Sequence, residues 1–194
     1  MPWYTMTDSF DSDFGVNEWH GHNVFFRDGD KEGETMSQRL DYYSTSPNLS
    51  KKLFELSQAV KESSLGNTLL DLVNIRASQL NGCALCLDMH CKEGKIHGER
   101  ELRIYHIPIW RESTLFSDTE RAALEWTEAV TKLSEHGVSD EVYDHVRLQL
   151  SETQISELTF AIGVINLWNR LNISFRTVPG SADEMLGLTK AGLK

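Results

Sequence analysis

One apolar segment near the C-terminal end constrains the fold more than any other part of the chain. It follows Ser151-Glu152-Thr153-Gln154, a capping box in which serine and glutamine side chains bind the free backbone amides that begin a helix. A helix of about twenty residues, 152–172, is predicted there. Its apolar residues are Ile155, Leu158, Phe160, Ile162, Val164, Ile165, Leu167, Trp168 and Leu171. Because they occupy nearly every face, we predict either a central core helix or one that also forms a subunit interface.

Helix signals recur through the rest of the chain, whereas strand signals are few. Proline after Ser46 indicates a helix start, Asn67 is a candidate cap, and Ser117 opens a capping box with Glu120. Alternating runs of β-branched residues, which would indicate strands, hardly occur. The predicted fold class is therefore all-α, as a helical bundle.

The composition indicates one compact domain preceded by an extension. With 194 residues, of which 40% are hydrophobic, the chain can build one proper core. Residues 1–36 hold eight acidic and two basic side chains, and they show no helical or strand period. We predict a loosely structured, acidic and aromatic-containing extension over 1–36 and a helical domain over 37–194.

Charge and hydropathy exclude several classes of protein. The net charge is −10, and no basic patch of the kind that binds nucleic acid is present. No run of 18 apolar residues could span a membrane, and the N-terminus lacks the pattern of a secretory signal. Three cysteines, two of them in a CxxC, suit a reducing compartment. We expect a cytoplasmic protein with neither a nucleic-acid nor a membrane partner.

The candidate site is the segment Cys83-Ala84-Leu85-Cys86-Leu87-Asp88-Met89-His90. It follows Asn81-Gly82, a pair that favours a helix stop and a turn, so Cys83 is expected to open a new, central helix. On a helix, positions 83, 86 and 90 share one face. A thiol near a helix N-terminus has a lowered pKa, and a neighbouring histidine can take or hold its proton. The pattern favours a redox-active dithiol.

Two other interpretations of these residues remain open. A zinc site could use Cys83, Cys86, His90 and Cys91, but residues 90 and 91 point about 100° apart on one helix, and no second segment supplies a ligand pair. Alternatively, the three thiols are small hydrophobic core residues beside a solvated or capped imidazole. We expect no metal and no cofactor, with Cys91 a buried residue that takes no part in the chemistry.

The stretch from Ala77 to His90 resembles the active-site segment of the alkylhydroperoxidase D-like proteins of the carboxymuconolactone decarboxylase superfamily. The resemblance continues through Tyr105 and Trp110-Arg111-Glu112 to the helix that contains Trp126, and it covers roughly residues 37–175. It implies an all-helical fold, assembly in trimers or multiples of three, and reduction of peroxides through the dithiol.

The resemblance also implies a role for four residues. Cys86 would attack the peroxide, and Cys83 would resolve the resulting sulfenic acid as a disulfide. His90 would belong to a proton relay with Asp71, which stands where the family typically has glutamate. Some members also have a histidine between the two cysteines, where this chain has Leu85.

We therefore predict an antioxidant enzyme, a dithiol peroxidase that reduces hydrogen peroxide or organic hydroperoxides. An external dithiol or protein reductant would reopen the disulfide by thiol exchange. The alternative is a non-catalytic protein that senses redox state or binds a partner through the same dithiol. The expected partners are a peroxide, a reductant and further copies of the chain.

Overall fold

A computed structural model describes residues 37–193 of the chain, and these residues are helical, without a β-strand. The helices are α1 (Tyr42–Thr45), α2 (Pro47–Lys61), α3 (Asn67–Asn81), α4 (Ala84–Ile96), α5 (Glu101–His106), α6 (Asp118–Thr131), α7 (Asp140–Arg147), α8 (Glu152–Phe175) and α9 (Asp183–Leu186), with 3₁₀ turns at Ile107–Ile109 and Leu188–Ala191. The all-α prediction is confirmed. The predicted extension over 1–36 lies outside the described residues.

Most of the predicted capping residues lie at the observed start of a helix. Ser117 and Ser151 each accept a hydrogen bond from the backbone amide three residues later, and each capping box is closed by the reciprocal bond. Asn67 is an exception, because it is the first residue of α3, and Gly66 takes the cap position with a φ of 75°. Glycine adopts this left-handed conformation without steric cost, so the predicted Asn67 cap was wrong.

The central helix of the domain is α3, and it packs against α4, α6 and α8. Its residues Leu72, Val73, Ile75 and Ala77 have no exposed surface. In contrast, α8 buries one side and leaves the other open, where Phe160 is 60% exposed. Within one copy of the chain, α8 is therefore not the fully covered core helix that its composition allows.

A close corner between α3 and α4 positions the candidate site. Gly82 ends α3 in the left-handed conformation with a φ of 71°, and the backbone amide of Cys83 then donates to the carbonyl oxygen of Ser78. Further along, α4 passes so near α3 that a Cβ on Gly94 would lie 3.7 Å from the Cβ of Asp71. Between residues 37 and 193, every helix is too short or too polar to cross a membrane.

Candidate active site

The two cysteines of the motif lie side by side at the start of α4. Cys83 is the N-cap residue, and α4 itself begins at Ala84, so the first cysteine precedes the helix. The sulfur atoms of Cys83 and Cys86 are 2.7 Å apart, and the backbone amide of Cys86 donates to the Cys83 sulfur at 3.4 Å. Both are free thiols, with 1% and 0% of their surface exposed. The turn thus brings together two sulfurs able to form a disulfide.

The charge of the reduced pair is unevenly divided between the two sulfurs. The contact with the Cys86 side chain lowers the pKa of the Cys83 thiol; burial opposes this effect, and the Cys86 backbone amide assists it. The same contact, together with burial, raises the pKa of Cys86 well above its usual value. The first proton is therefore lost from Cys83, and Cys86 keeps the proton that lies between the sulfurs.

His90 is held by a carboxylate on its own helix. Its Nδ1 lies 2.7 Å from Glu93 Oε2, and Lys61 Nζ lies 2.8 Å from the other oxygen of Glu93. Burial alone would raise the pKa of Glu93, but the hydrogen bonds and charges of His90 and Lys61 outweigh it and lower this pKa to about 2. Since ionised Glu93 accepts the proton on Nδ1, Nε2 is the ring nitrogen of His90 that stays available for proton transfer.

Asp71 contacts a different histidine from the one predicted. Its Oδ2 lies 2.7 Å from Nδ1 of His97, the C-cap residue of α4. Burial raises the pKa of Asp71, and the hydrogen bond and charge of His97 only partly offset this effect. Asp71 also lies near enough to His90 and Glu93 for their charges to act on its pKa. The structure therefore differs from the predicted Asp71–His90 pair, since Glu93 binds His90 and His97 binds Asp71.

Side-chain amides of α8 approach the dithiol from the opposite side. Asn172 Nδ2 donates to Cys86 Sγ at 3.4 Å, and the hydroxyl of Tyr42 donates to Asn172 Oδ1 at 2.9 Å. One turn earlier, Asn169 donates to Ser78 Oγ at 3.2 Å and accepts a hydrogen bond from Asn81 at 2.8 Å. These amides place polar groups against sulfurs that otherwise have apolar surroundings.

Apolar side chains form the rest of the cover over the two sulfurs. Cys83 and Cys86 pack in one cluster with Ala77 and Ile165, and Trp168 lies against this cluster from α8. The indole of Trp168 is itself fixed, because its Nε1 donates to Ser57 Oγ at 2.9 Å. The protein therefore shields both sulfurs from bulk solvent.

The other potential ligands of a metal point elsewhere. Cys91 is half-buried against the neighbouring cluster of Ile104 and Ile107, and burial, with the nearby charge of Asp88, raises its pKa to about 11. Over residues 37–193, no three side chains of the metal-binding types converge on one point. Cys91 therefore packs in a different cluster from the dithiol.

Three kinds of contact at this site were not predicted, and two of them carry a signal in the sequence. Glu93 follows His90 by three residues, a spacing that places the two side chains side by side on a helix. Asn169 and Asn172 interrupt an otherwise apolar segment, and buried polar side chains in such segments need partners. No local pattern links Asp71 with His97, since they lie on different helices.

Comparisons with known proteins identify the family of this chain. The carboxymuconolactone decarboxylase family model matches residues 47–129. The uncharacterised protein YdfG of Bacillus subtilis (strain 168) is 41% identical over 139 residues, which are 72% of this chain and 95% of YdfG.

Solved structures of related fold extend the comparison. An Agrobacterium tumefaciens protein of unknown function, proposed to be the antioxidant defence protein AhpD, is 39% identical with a TM-score of 0.71, covering 74% of this chain and 98% of that one. The debrominase Bmp8 has a TM-score of 0.65 at 18% identity, covering 76% and 79%, and shares the fold alone. The chain therefore belongs to the carboxymuconolactone decarboxylase family and is one of its AhpD-like members.

Proposed function

We propose that the protein is a peroxidase that reduces hydrogen peroxide or organic hydroperoxides through the Cys83–Cys86 dithiol. The observation that carries this proposal is the 2.7 Å contact between two free, buried sulfurs at the N-terminus of α4. A histidine held by a carboxylate lies one helical turn further along α4. Together these groups supply a nucleophile, a second thiol and a proton donor.

The proposed reaction begins with a proton transfer within the dithiol. The Cys83 thiolate takes the proton of Cys86 across their contact, and the Cys86 sulfur attacks the outer peroxide oxygen. A sulfur–oxygen bond forms and the O–O bond breaks, so Cys86 is oxidised to a sulfenic acid while the peroxide leaves as alkoxide or hydroxide. His90, held by Glu93 through Nδ1, gives this leaving oxygen the proton carried on its Nε2, and Nε2 is then reprotonated from solvent.

The second half of the reaction closes and reopens a disulfide. The Cys83 thiol attacks the sulfenic sulfur, which forms the disulfide and releases water. An external dithiol then reduces it by exchange and is itself oxidised, so both protein thiols are restored. This requirement for a thiol reductant favours the cytoplasm, where thiols are kept reduced.

Turnover of an organic hydroperoxide tests the proposal. Cumene hydroperoxide consumption, with dihydrolipoamide in excess, should proceed over many turnovers in the parent protein and stop in Cys86→Ser and Cys83→Ser. Cys91→Ser is the matched control and should keep the parent rate. Equal consumption by the double variant Cys83→Ser, Cys86→Ser would refute a dithiol mechanism.

The almost complete burial of both sulfurs favours the second candidate, a redox sensor. A sensor would be oxidised once by peroxide and would not turn over with the small dithiol. Stoichiometric disulfide formation without further consumption of peroxide would therefore support the sensor and exclude the peroxidase.

We also propose that copies of the chain associate through the open side of α8. Phe160, Leu167 and Ile173 are 60%, 46% and 44% exposed on this helix. Burying such side chains against a second copy is favourable, at about 25 cal/mol for each Å² of apolar surface. The family resemblance leads us to expect a trimer or a multiple of three.

A further inference from the structure

We propose that Asn172 is a catalytic hydrogen-bond donor to the sulfur of Cys86, and that Tyr42 is the positioning residue that keeps its amide in the donating orientation. This inference deepens the proposed peroxidase and rests on Cys86 as the reacting thiol. It adds a role for α1 and for the end of α8, neither of which contains a residue of the motif.

The contacts form a short chain that ends on the reacting atom. The Tyr42 hydroxyl donates to Asn172 Oδ1 at 2.9 Å, and Asn172 Nδ2 lies 3.4 Å from Cys86 Sγ, a normal distance for a hydrogen bond to sulfur. An amide that accepts at its oxygen presents its nitrogen on the other side. Tyr42 therefore determines which end of the amide faces the sulfur.

Burial makes this contact important for a negatively charged sulfur. Tyr42, Asn172 and Cys86 are 5%, 6% and 0% exposed. A thiolate in such surroundings lacks the water that would stabilise it at the surface, so protein donors must replace that water. Hydrogen bonds to ions are also stronger than those between neutral groups.

Of the groups around Cys86, Asn172 is an important one for stabilising its thiolate. From the cap of α4, Cys83 raises the pKa of Cys86 through its contact and its charge, and from α1 the Tyr42 phenol faces the same region. On α4, His90 is already bound to Glu93. From α8, hydrogen bonds of Asn169 and Asn172 lower the pKa of Cys86. Of these two, Asn172 has its nitrogen on the Cys86 sulfur and its oxygen fixed by a hydroxyl.

The same donor serves both halves of the redox cycle. When Cys86 loses its proton and attacks the peroxide, the amide stabilises the sulfur that carries the negative charge. When an external thiolate attacks the Cys83 sulfur of the disulfide, the S–S bond breaks and Cys86 leaves as a thiolate with the bonding pair. Because a better stabilised thiolate leaves faster, Asn172 favours this direction of reduction.

The test measures the Cys86 thiol directly, in the full chain carrying Cys83→Ser and Cys91→Ser. The rate of iodoacetamide alkylation at residue 86 is followed against pH by mass spectrometry. Asn172→Leu removes the donor without adding charge and should leave about tenfold less thiolate at neutral pH, the lower end for a hydrogen bond to a charged group. Tyr42→Phe should produce a smaller decrease, and Tyr105→Phe, at an exposed tyrosine of α5, none.

A double variant separates positioning from packing. If Tyr42 acts through the amide, Tyr42→Phe should change nothing further in the Asn172→Leu background. An effect of Tyr42→Phe that is equal in both backgrounds would refute its positioning role. If Asn172→Leu does not fold, as judged by circular dichroism, an unchanged profile in Tyr42→Phe still overturns the positioning role.

The outcome is independent of the peroxidase proposal, because alkylation needs no peroxide. An unchanged alkylation profile in Asn172→Leu, with peroxide turnover intact in the parent, overturns the role of Asn172 alone. A shifted profile in a parent protein without turnover overturns the peroxidase and leaves the hydrogen bond established.

Discussion

Glu93 makes the stability of the domain depend on pH, and the structure sets the size of this dependence. Its side chain is 15% exposed and lies between Lys61 and His90. These partners lower the pKa of Glu93 from 4.5 to about 2. This pKa difference of about 2.5 corresponds to roughly 3 kcal/mol of unfolding free energy, at about 1.36 kcal/mol for each unit of pKa.

The sign follows from the direction of the pKa change. Because the pKa of Glu93 is lower in the folded chain, its contribution is fully present above the unfolded value of 4.5. It disappears as the pH falls from about 5 towards 2, since protonation then favours the unfolded chain. Between pH 5 and pH 2, the unfolding free energy of Glu93→Gln should therefore fall by roughly 3 kcal/mol less than that of the parent protein.

Urea unfolding at a series of pH values measures this effect. Glu62→Gln is the control, because Glu62 is an exposed carboxylate beside the same Lys61. The control should follow the parent protein through the whole range. The reasoning is refuted if Glu93→Gln loses stability in parallel with the parent between pH 5 and pH 2.

Four further predictions concern separate parts of the chain. Reduced protein treated with limiting iodoacetamide at neutral pH should be modified at Cys83 before Cys86, as peptide mapping would show, because the pKa of Cys83 is the lower of the two. His90→Ala should lower kcat/KM for peroxide by about 10²–10⁴-fold, the contribution of a positioned proton donor, and an unchanged value would exclude it from that role. Gly94→Ala should raise the unfolding free energy by roughly 0.5–1 kcal/mol, since its Cβ would make only ordinary contacts. Phe160→Glu should dissociate the oligomer in light scattering, and an assembly of unchanged mass would place the interface elsewhere.

The local features of this fold were predictable because they depend on neighbours in the sequence. The capping boxes at Ser117 and Ser151 and the helix break at Gly82 each involve residues within a few positions of one another. The same holds for the dithiol, since a turn of α4 brings Cys83 and Cys86 together. In such cases backbone geometry alone fixes the contact.

Most contacts that differ from expectation join different helices, whereas the His90–Glu93 contact lies within α4 and was missed despite its local spacing. Asp71 has a side chain one methylene shorter than the glutamate of the family pattern, and its partner His97 lies 26 residues away on α4.

Which helix becomes the central one also depends on tertiary packing. α8 is the more apolar sequence, but α3 has three neighbouring helices packed around it. Hydrophobic periodicity indicates which side of a helix is buried, not what covers it.

The hydrogen bond between Tyr42 and Asn172 has a consequence for how the chain folds. It joins residues 130 positions apart, whereas the two cysteines are three positions apart. The entropy cost of closing the longer loop is greater by about 3 kcal/mol. The dithiol turn can therefore form early from local contacts, whereas the amide reaches the sulfur only when the two ends of the domain meet. Until then, Cys86 lacks the hydrogen bond from Asn172, so the final surroundings of its sulfur depend on completed folding.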